Sequence, residues 1–248
     1  MQQIDLHNIK AIFFDRGNVT HECRLGPSSE ERDHIIALKI LKALSERTDI
    51  QTNASDIFNH LISPWRASFA LRHKNGYENS LIPFVQTFIK HLGQTDDHHA
   101  IEIITTELSE GFIQWDSARS DVLPLFQYLH DSAKKIGIVA STTVPDNFYI
   151  KQYELSGIAP LIDIYALSYS LGCRKPNPEI LLKTCKSLDL QPSECILVGD
   201  KLEIDIVCAK AAGSKSIWYK QEEADLKDEY RPDYIIESLT EMYERIAT

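Results

Sequence analysis

Beyond residue 121 the chain alternates short apolar runs with stretches of helical period, and this alternation is what most restricts its fold. The runs at 136–140, 164–167, 195–198, 216–219 and 234–236 read as strands, and helices are expected over 125–130, 149–155, 180–188 and 204–212 between them. Short strands that are apolar throughout and separated by helices bury both faces, which is the pattern of a parallel, doubly wound α/β sheet. One more such run, 10–14, stands near the N-terminus and stops at Asp15 before the turn formers Gly17 and Asn18.

Between that first strand and the alternating region the style changes. From about 28 to 115 the apolar residues recur at helical spacing, as in Ile35, Leu38, Leu41 and Leu44, with Ile36, Ile40 and Ala43 widening the stripe. Further helical stretches are separated by Pro64, by Asn75-Gly76 and by the polar segment 94–97, and no strand alternation appears. An all-helical segment inserted after the first strand is expected to cap that strand's end. The division expected is a core of 1–20 and 119–248 with a helical cap of 21–118.

At 248 residues the chain suits one core domain with a modest insertion. Its 36 acidic against 26 basic residues, a formal charge of −10, oppose the field that gathers nucleic acid, so nucleic acid is not an expected partner. The N-terminus lacks a signal-peptide pattern and no apolar run approaches the roughly 18 residues of a membrane span, so a soluble, cytoplasmic protein is expected. Five cysteines without a CxxC pair suggest reduced thiols rather than a disulfide framework or a zinc site.

Ligands of open parallel sheets bind beyond the carboxyl ends of the strands. Those ends bring Asp15, the segment Ala140-Ser141-Thr142-Thr143, and Gly199-Asp200 with Asp205 five residues on, while Arg174-Lys175-Pro176 lies between the last two. For a phosphorylated substrate each group has a use. A carboxylate can attack phosphorus and form an acyl phosphate. A divalent cation between Asp15 and Asp200 would offset the repulsion between carboxylate and phosphate, and magnesium suits oxygen ligands. Lys175 and the hydroxyls of Ser141 or Thr142 would hold phosphate oxygens. Asp205 would orient a metal-bound water or fix Lys175.

With these residues in order, the sequence resembles the haloacid dehalogenase (HAD) superfamily of hydrolases, phosphatase-like, over nearly its whole length. Four motifs carry the resemblance: A-I-F-F-D ending at Asp15, I-G-I-V-A-S-T-T, C-R-K-P-N-P-E around Lys175, and I-L-V-G-D-K-L-E-I-D with Asp200 and Asp205. The resemblance implies a HAD-like, Rossmannoid core with a C1-type helical cap, Asp15 as nucleophile, Lys175 as charge stabiliser, and Mg2+ held by Asp15, the Gly17 position, Asp200 and Asp205. It places Asn18, Ser141, Thr142 and Lys175 at the substrate.

Two positions depart from the family pattern. Gly17 stands where the family's general acid/base Asp is usual, although a D-x-G-N-V version also resembles members of the superfamily. Ala140 falls where the second motif has Ser or Thr unless the alignment shifts by one to Ser141. The expected activity is a magnesium-dependent phosphatase of a small phosphorylated metabolite, through an aspartyl-phosphate. The alternatives are a pseudophosphatase acting as a binding protein, for which Gly17 and Ala140 argue, and a haloacid dehalogenase, which needs no metal. Should another residue replace the missing acid, His21 and Glu22 are the candidates. Two further clusters carry blander expectations: 96–99 (D-D-H-H) as a solvated loop, and Arg66, Arg72, His73 and Lys74 as an exposed helix face or, less directly, an anion-binding face over the site.

Overall fold

The computed structural model describes residues 3–23, 26–95, 97–224 and 226–246. Its strands are β1 (Ala11–Phe14), β2 (His21–Glu22), β3 (Ser117–Ala118), β4 (Lys135–Ala140), β5 (Ile164–Leu167), β6 (Cys195–Gly199), β7 (Lys215–Tyr219) and β8 (Tyr234–Ile236). Six of these form one sheet in the order β5-β4-β1-β6-β7-β8, every neighbouring pair parallel. Counting only sheet strands along the chain, this is the doubly wound order 3-2-1-4-5-6, which reverses between β1 and β6. Successive β1 side chains enter opposite layers: Ile12 and Phe14 join the large core shared with the helical insert, and Ala11 and Phe13 join the core on the other face.

The insert runs through α1 (Ser29–Arg47), α2 (Ala54–Ile57), a π-helical turn (Phe58–Ile62), α3 (Ser63–Ala67), α4 (Phe69–Asn75), α5 (Ile82–His91) and α6 (His98–Ile113). The start of α1, which propensity left unplaced, is set by a capping box in which the Ser28 side chain accepts from the Glu31 N–H and Glu31 reaches back to the Ser28 N–H. Asp97 caps α6 by accepting from the Ala100 N–H, and His98 and His99 begin that helix. The polar segment is therefore a helix start rather than a loop; Asp96 lies outside the described residues.

Sequence periodicity did not show the antiparallel ribbon of β2 and β3, two residues each, which pairs the chain leaving the sheet with the chain returning to it. Strands this short carry no period to read. In the second half, α7 (Val122–Asp131), α8 (Asp146–Leu155), α10 (Glu179–Ser187) and α11 (Val207–Ala212) fall where the alternation placed helices, with a short α9 (Ser168–Leu171) and a final α12 (Leu239–Ile246) added. All five cysteines are free, four of them buried. Among the described residues no helix is long and apolar enough to cross a membrane.

Candidate active site

The reversal of strand order puts the ends of β1 and β6 side by side. The Asp15 N–H donates to the Val198 carbonyl at 2.8 Å, so Asp15 leaves β1 beside the Gly199-Asp200 end of β6. The chain after Asp200 winds into a second π-helical turn (Leu202–Ile206) that brings Asp205 back over Gly199. A Cβ at residue 199 would lie 2.2 Å from the Asp205 Cβ, so only glycine permits this approach.

Lys175 sits between two carboxylates, its Nζ 2.5 Å from Asp15 Oδ1 and 2.6 Å from Asp205 Oδ1. Asp205 is further held by the Lys201 N–H, which donates to its Oδ2 at 3.0 Å. Asp200 accepts from the Asn18 amide at 3.2 Å, and its backbone carbonyl accepts from the Trp218 indole at 3.1 Å. One ligand atom from each of Asp15, Asp200 and Asp205 lies within 4.8 Å of the others. Lys175 thus serves two of the three carboxylates, and Asp200 has the partly exposed Lys201 at 3.7 Å. Burial pushes the Asp15 carboxyl up to about 7; Lys175 opposes this, and Asp205 and Asp200 add to it. Asp200 is raised as well, by burial first and then by Asp205, while Lys175 is held charged against its own burial by Asp15 and Asp205.

These groups line a cavity of about 330 Å³, together with Arg16, Gly17, Arg32, Arg66, Phe112, Asp116, Ser141 and Arg174 among others. At the end of β4 the two candidate hydroxyls differ. Thr142 Oγ1 accepts from the Tyr169 N–H at 3.1 Å and its own N–H donates to Ser168 Oγ at 2.8 Å, so Thr142 is tied to α9. The Ser141 Oγ is buried with no protein partner. Asn18, expected at the substrate, instead spends its amide on Asp200 and is not among the cavity-lining residues; its φ of 58° turns the chain out of β1. Gly17 does line the cavity, and its φ is not in the left-handed region.

Neither candidate for a replacement acid stands in the cavity. His21 is buried, its Nδ1 3.2 Å from Thr20 Oγ1, and burial together with Arg16 pushes its imidazolium down to about 2, so it has no proton to give. Glu22 is half exposed and pairs with Arg119 at 3.4 Å.

Sequence reasoning missed Arg16, although a charged residue directly after a buried strand was a signal. Its guanidinium donates to Asp116 at 2.7 Å and to the Gln152 carbonyl, and lies 4.9 Å over the Tyr149 ring. Burial works against its charge and Asp116 overrides it. Glu78 was missed for want of any local signal: it accepts from Arg72 at 2.5 Å, from Arg174 at 3.1 Å and from Ser168 Oγ at 2.7 Å, tying the insert to the loop that carries Lys175. Neither Arg66 nor Arg72 of the basic cluster stands on a fully exposed face, and Arg66 lines the cavity. Arg72 is 1% exposed and lies 3.7 Å over the Phe69 ring, and Arg66 binds Asp33 with its guanidinium 4.9 Å over Phe112. The side chains of His73 and Lys74 lie outside the described residues.

A family model described as HAD-hydrolase-like matches residues 172–242. The chain is 36% identical over 107 residues to a glyceraldehyde 3-phosphate phosphatase of Pyrococcus furiosus, covering 41% of this chain and 45% of that protein. It is 32% identical over 119 residues to the pyrophosphatase PpaX of Bacillus mycoides, covering 47% and 54%. The chain thus spans about half the length of the curated relatives it matches. Over its whole length the fold is that of a 2-haloacid dehalogenase from Pseudomonas syringae pv. Tomato DC3000, with a TM-score of 0.67 at 20% identity and 96% and 98% of the two chains covered. A HAD phosphatase from Thermococcus onnurineus matches with a TM-score of 0.59 at 21% identity, covering 95% and 97%. The doubly wound core and helical insert are thus the fold of these haloacid dehalogenase-like proteins, and residues 172–242 match the HAD-hydrolase-like family.

Proposed function

We propose that this chain is a magnesium-dependent phosphatase of a small phosphorylated metabolite, with Asp15 as nucleophile, and that the segment 21–118 caps the site as a C1-type helical cap. The observation that carries the reading is the convergence of carboxylates at the strand ends: one ligand atom from each of Asp15, Asp200 and Asp205 lies within 4.8 Å of the others, with the buried Lys175 between Asp15 and Asp205 and the partly exposed Lys201 3.7 Å from Asp200. Three clustered carboxylates fit a hard divalent cation, which takes oxygen ligands and waters. Asp15 and Asp200 would hold it, with the Gly17 position beside them and Asp205 supporting. When bound it supplies charge that offsets the approach of a phosphate to Asp15. Displacement of halide at carbon needs no such cation, and the two curated relatives described above are named a glyceraldehyde 3-phosphate phosphatase and a pyrophosphatase.

In this mechanism a carboxylate oxygen of Asp15 attacks phosphorus, the bond from phosphorus to the leaving oxygen breaks, and an aspartyl-phosphate forms. Lys175 holds Asp15 Oδ1 in place and offsets charge on the transferring group. The partnerless Ser141 hydroxyl donates to a phosphate oxygen, and Thr142, whose hydroxyl oxygen accepts from the Tyr169 N–H, keeps its own proton to give beside it. Water then cleaves the acyl phosphate, restoring Asp15 and releasing inorganic phosphate. With Gly17 at the usual acid position, the leaving oxygen departs without a side-chain proton, which favours esters of acidic alcohols or anomeric phosphates.

The test is a panel of phosphorylated metabolites assayed with magnesium, with EDTA, and with Asp15→Asn. At least one ester should be hydrolysed, the divalent ion should be required, and the variant should be inactive because an amide is a poor nucleophile. Unchanged turnover in EDTA or in the variant would overturn the mechanism, and no turnover of any ester would favour the binding-protein reading that Gly17 supports.

A further inference from the structure

The helical insert carries a second group of ligating side chains, none of which lines the Asp15 cavity. Asp56 lies in α2, His60 four residues later in the π-helical turn, and His91 is the last residue of α5. Asp56 Oδ1 is 3.5 Å from His60 Nε2 and 3.2 Å from His91 Nε2, and one ligand atom from each of the three lies within 4.8 Å of the others. The two imidazoles stack with their centroids 3.9 Å apart. Their side chains are 49% and 39% exposed, so the group opens to solvent.

Local structure aims this carboxylate. The Asp56 N–H is taken by the capping Asn53 side chain at 2.9 Å, and its Oδ2 faces Thr52 Oγ1 at 3.4 Å, which leaves Oδ1 to the imidazoles. The π-helical turn puts more residues into each turn than an α-helix, so a side chain four residues on stands more nearly above its predecessor. Such turns are rare and concentrate at functional sites. Among the described residues there are two, and the other carries Asp205.

We propose that Asp56, His60 and His91 bind a transition-metal ion, zinc(II) by preference, which clips α2 and its π-helical turn to the end of α5. Two neutral imidazoles and a carboxylate suit zinc, whereas magnesium takes oxygen ligands. A tetrahedral ion with bonds of about 2.1 Å separates its ligand atoms by about 3.4 Å, and the two nitrogen–oxygen distances here, 3.5 and 3.2 Å, bracket that value. Water fills the fourth position. For both lone pairs to meet one ion the stacked rings must splay, a rotation of two partly exposed side chains that also shifts His91 on the buried Phe88 ring. The clip is separate from the phosphatase reading and stands or falls without it.

The experiment titrates the full chain, stripped with chelator and desalted, with zinc chloride against a chromophoric competitor. Wild type is run beside His60→Ala, His91→Ala, His91→Gln and Asp200→Asn, with circular dichroism as the check on folding. One zinc site should weaken by at least about tenfold in each histidine variant and persist in Asp200→Asn. Zinc should also raise the Tm of wild type and not of the histidine variants, and should move the imidazole nitrogen resonances of both histidines. Equal zinc affinity in wild type and all three histidine variants overturns the proposal, as does a single zinc site lost only in Asp200→Asn.

Discussion

The carboxyl edge of the sheet and the helical insert both bury cations, but they balance them differently. In the insert two guanidinium groups each meet a carboxylate and an aromatic face: Arg66 with Asp33 over Phe112, and Arg72 with Glu78, which Arg174 shares, over Phe69. At the strand ends Asp15 and Asp205 share the buried Lys175 while Asp200 meets only the partly exposed Lys201, and burial first, with the neighbouring carboxylates adding to it, raises Asp15 and Asp200. Matched pairs hold a fold together, and an unmatched cluster is poised to take up charge from outside. The same contrast explains why Arg66 and Arg72, expected from sequence on an exposed helix face or on an anion-binding face over the site, are both paired with carboxylates.

If the contrast is right, removing the shared cation should damage chemistry before structure. Lys175→Met is expected to lower kcat/KM by about 10²–10³-fold, the usual loss for one preorganised charge-stabilising donor, with an intact far-UV spectrum. A loss below about tenfold would remove Lys175 from the reacting atoms.

Breaking a matched pair should do the reverse. Arg72→Met leaves the Glu78 side chain buried with only Arg174 as a charged partner, and is expected to cost about 3 kcal/mol of stability, the lower end for a broken buried pair. Turnover at saturating substrate should stay within about threefold, since Arg72 does not line the cavity. Denaturant unfolding beside steady-state kinetics separates the two effects. A large kinetic loss without a stability loss would mean that the insert's charges serve the site directly.

Strand β2, where the chain passes from one region to the other, offers a finer test. His21 is neutral in the fold with its pKa pushed down to about 2, against 6.5 when unfolded. A histidine lowered on folding stabilises the native state fully only above its unfolded value, and that stability drains as pH falls through 6.5 toward 2. At pH 5 the loss from this one group should be about 2 kcal/mol, from about 1.36 kcal/mol for each pKa unit. His21→Gln should flatten the decline in unfolding free energy between pH 7 and pH 5. An identical slope in the two proteins would show that His21 takes up its proton in the fold.

How far the sequence could be read also divides along the two regions. The sheet was legible to within a residue or two because its strands are apolar throughout and the chemistry-bearing residues follow them directly: Asp15 after β1, Asp200 after β6. The insert was legible as helices but not as partners. Nothing local marks Glu78 as the carboxylate for Arg72 and Arg174, because the pairing joins a loop of the insert to a loop of the core, 96 residues apart in the case of Arg174. The different surroundings of Ser141 and Thr142 were unreadable for the same reason, since they turn on Ser168 and Tyr169 tying Thr142 to α9. Within the site, Asn18 was placed at the substrate by its position in the motif, whereas its left-handed backbone carries its amide to Asp200.

The smallest effect expected, and the one that most sharpens the contrast, is at Gly17. The resemblance places a carboxylic acid there, and a glycine in such a turn is commonly required by a positive φ. Gly17 does not adopt one, and a Cβ built on it would meet only Asp15 Oδ2 at 3.8 Å and Cys23 Sγ at 3.9 Å, both ordinary contacts. Gly17→Asp should therefore fold and place a fourth carboxyl in an already over-negative cluster, where like charge and burial favour its protonated form. That form is the one able to protonate a leaving oxygen. With His21 neutral and Glu22 outside the cavity, the unmodified protein should show rates that rise steeply as the leaving alcohol becomes more acidic. The variant should flatten that dependence and gain about tenfold on alkyl phosphates, less than the roughly 10²–10⁴ of a positioned acid, because no neighbour orients the new side chain. Rates across a series of esters in both proteins decide it. A shallow dependence in the unmodified protein would mean that another group in the cavity already donates the proton, and a steep dependence left unchanged by Gly17→Asp would mean that the added carboxyl stays ionised, held so by Lys175 or a bound cation.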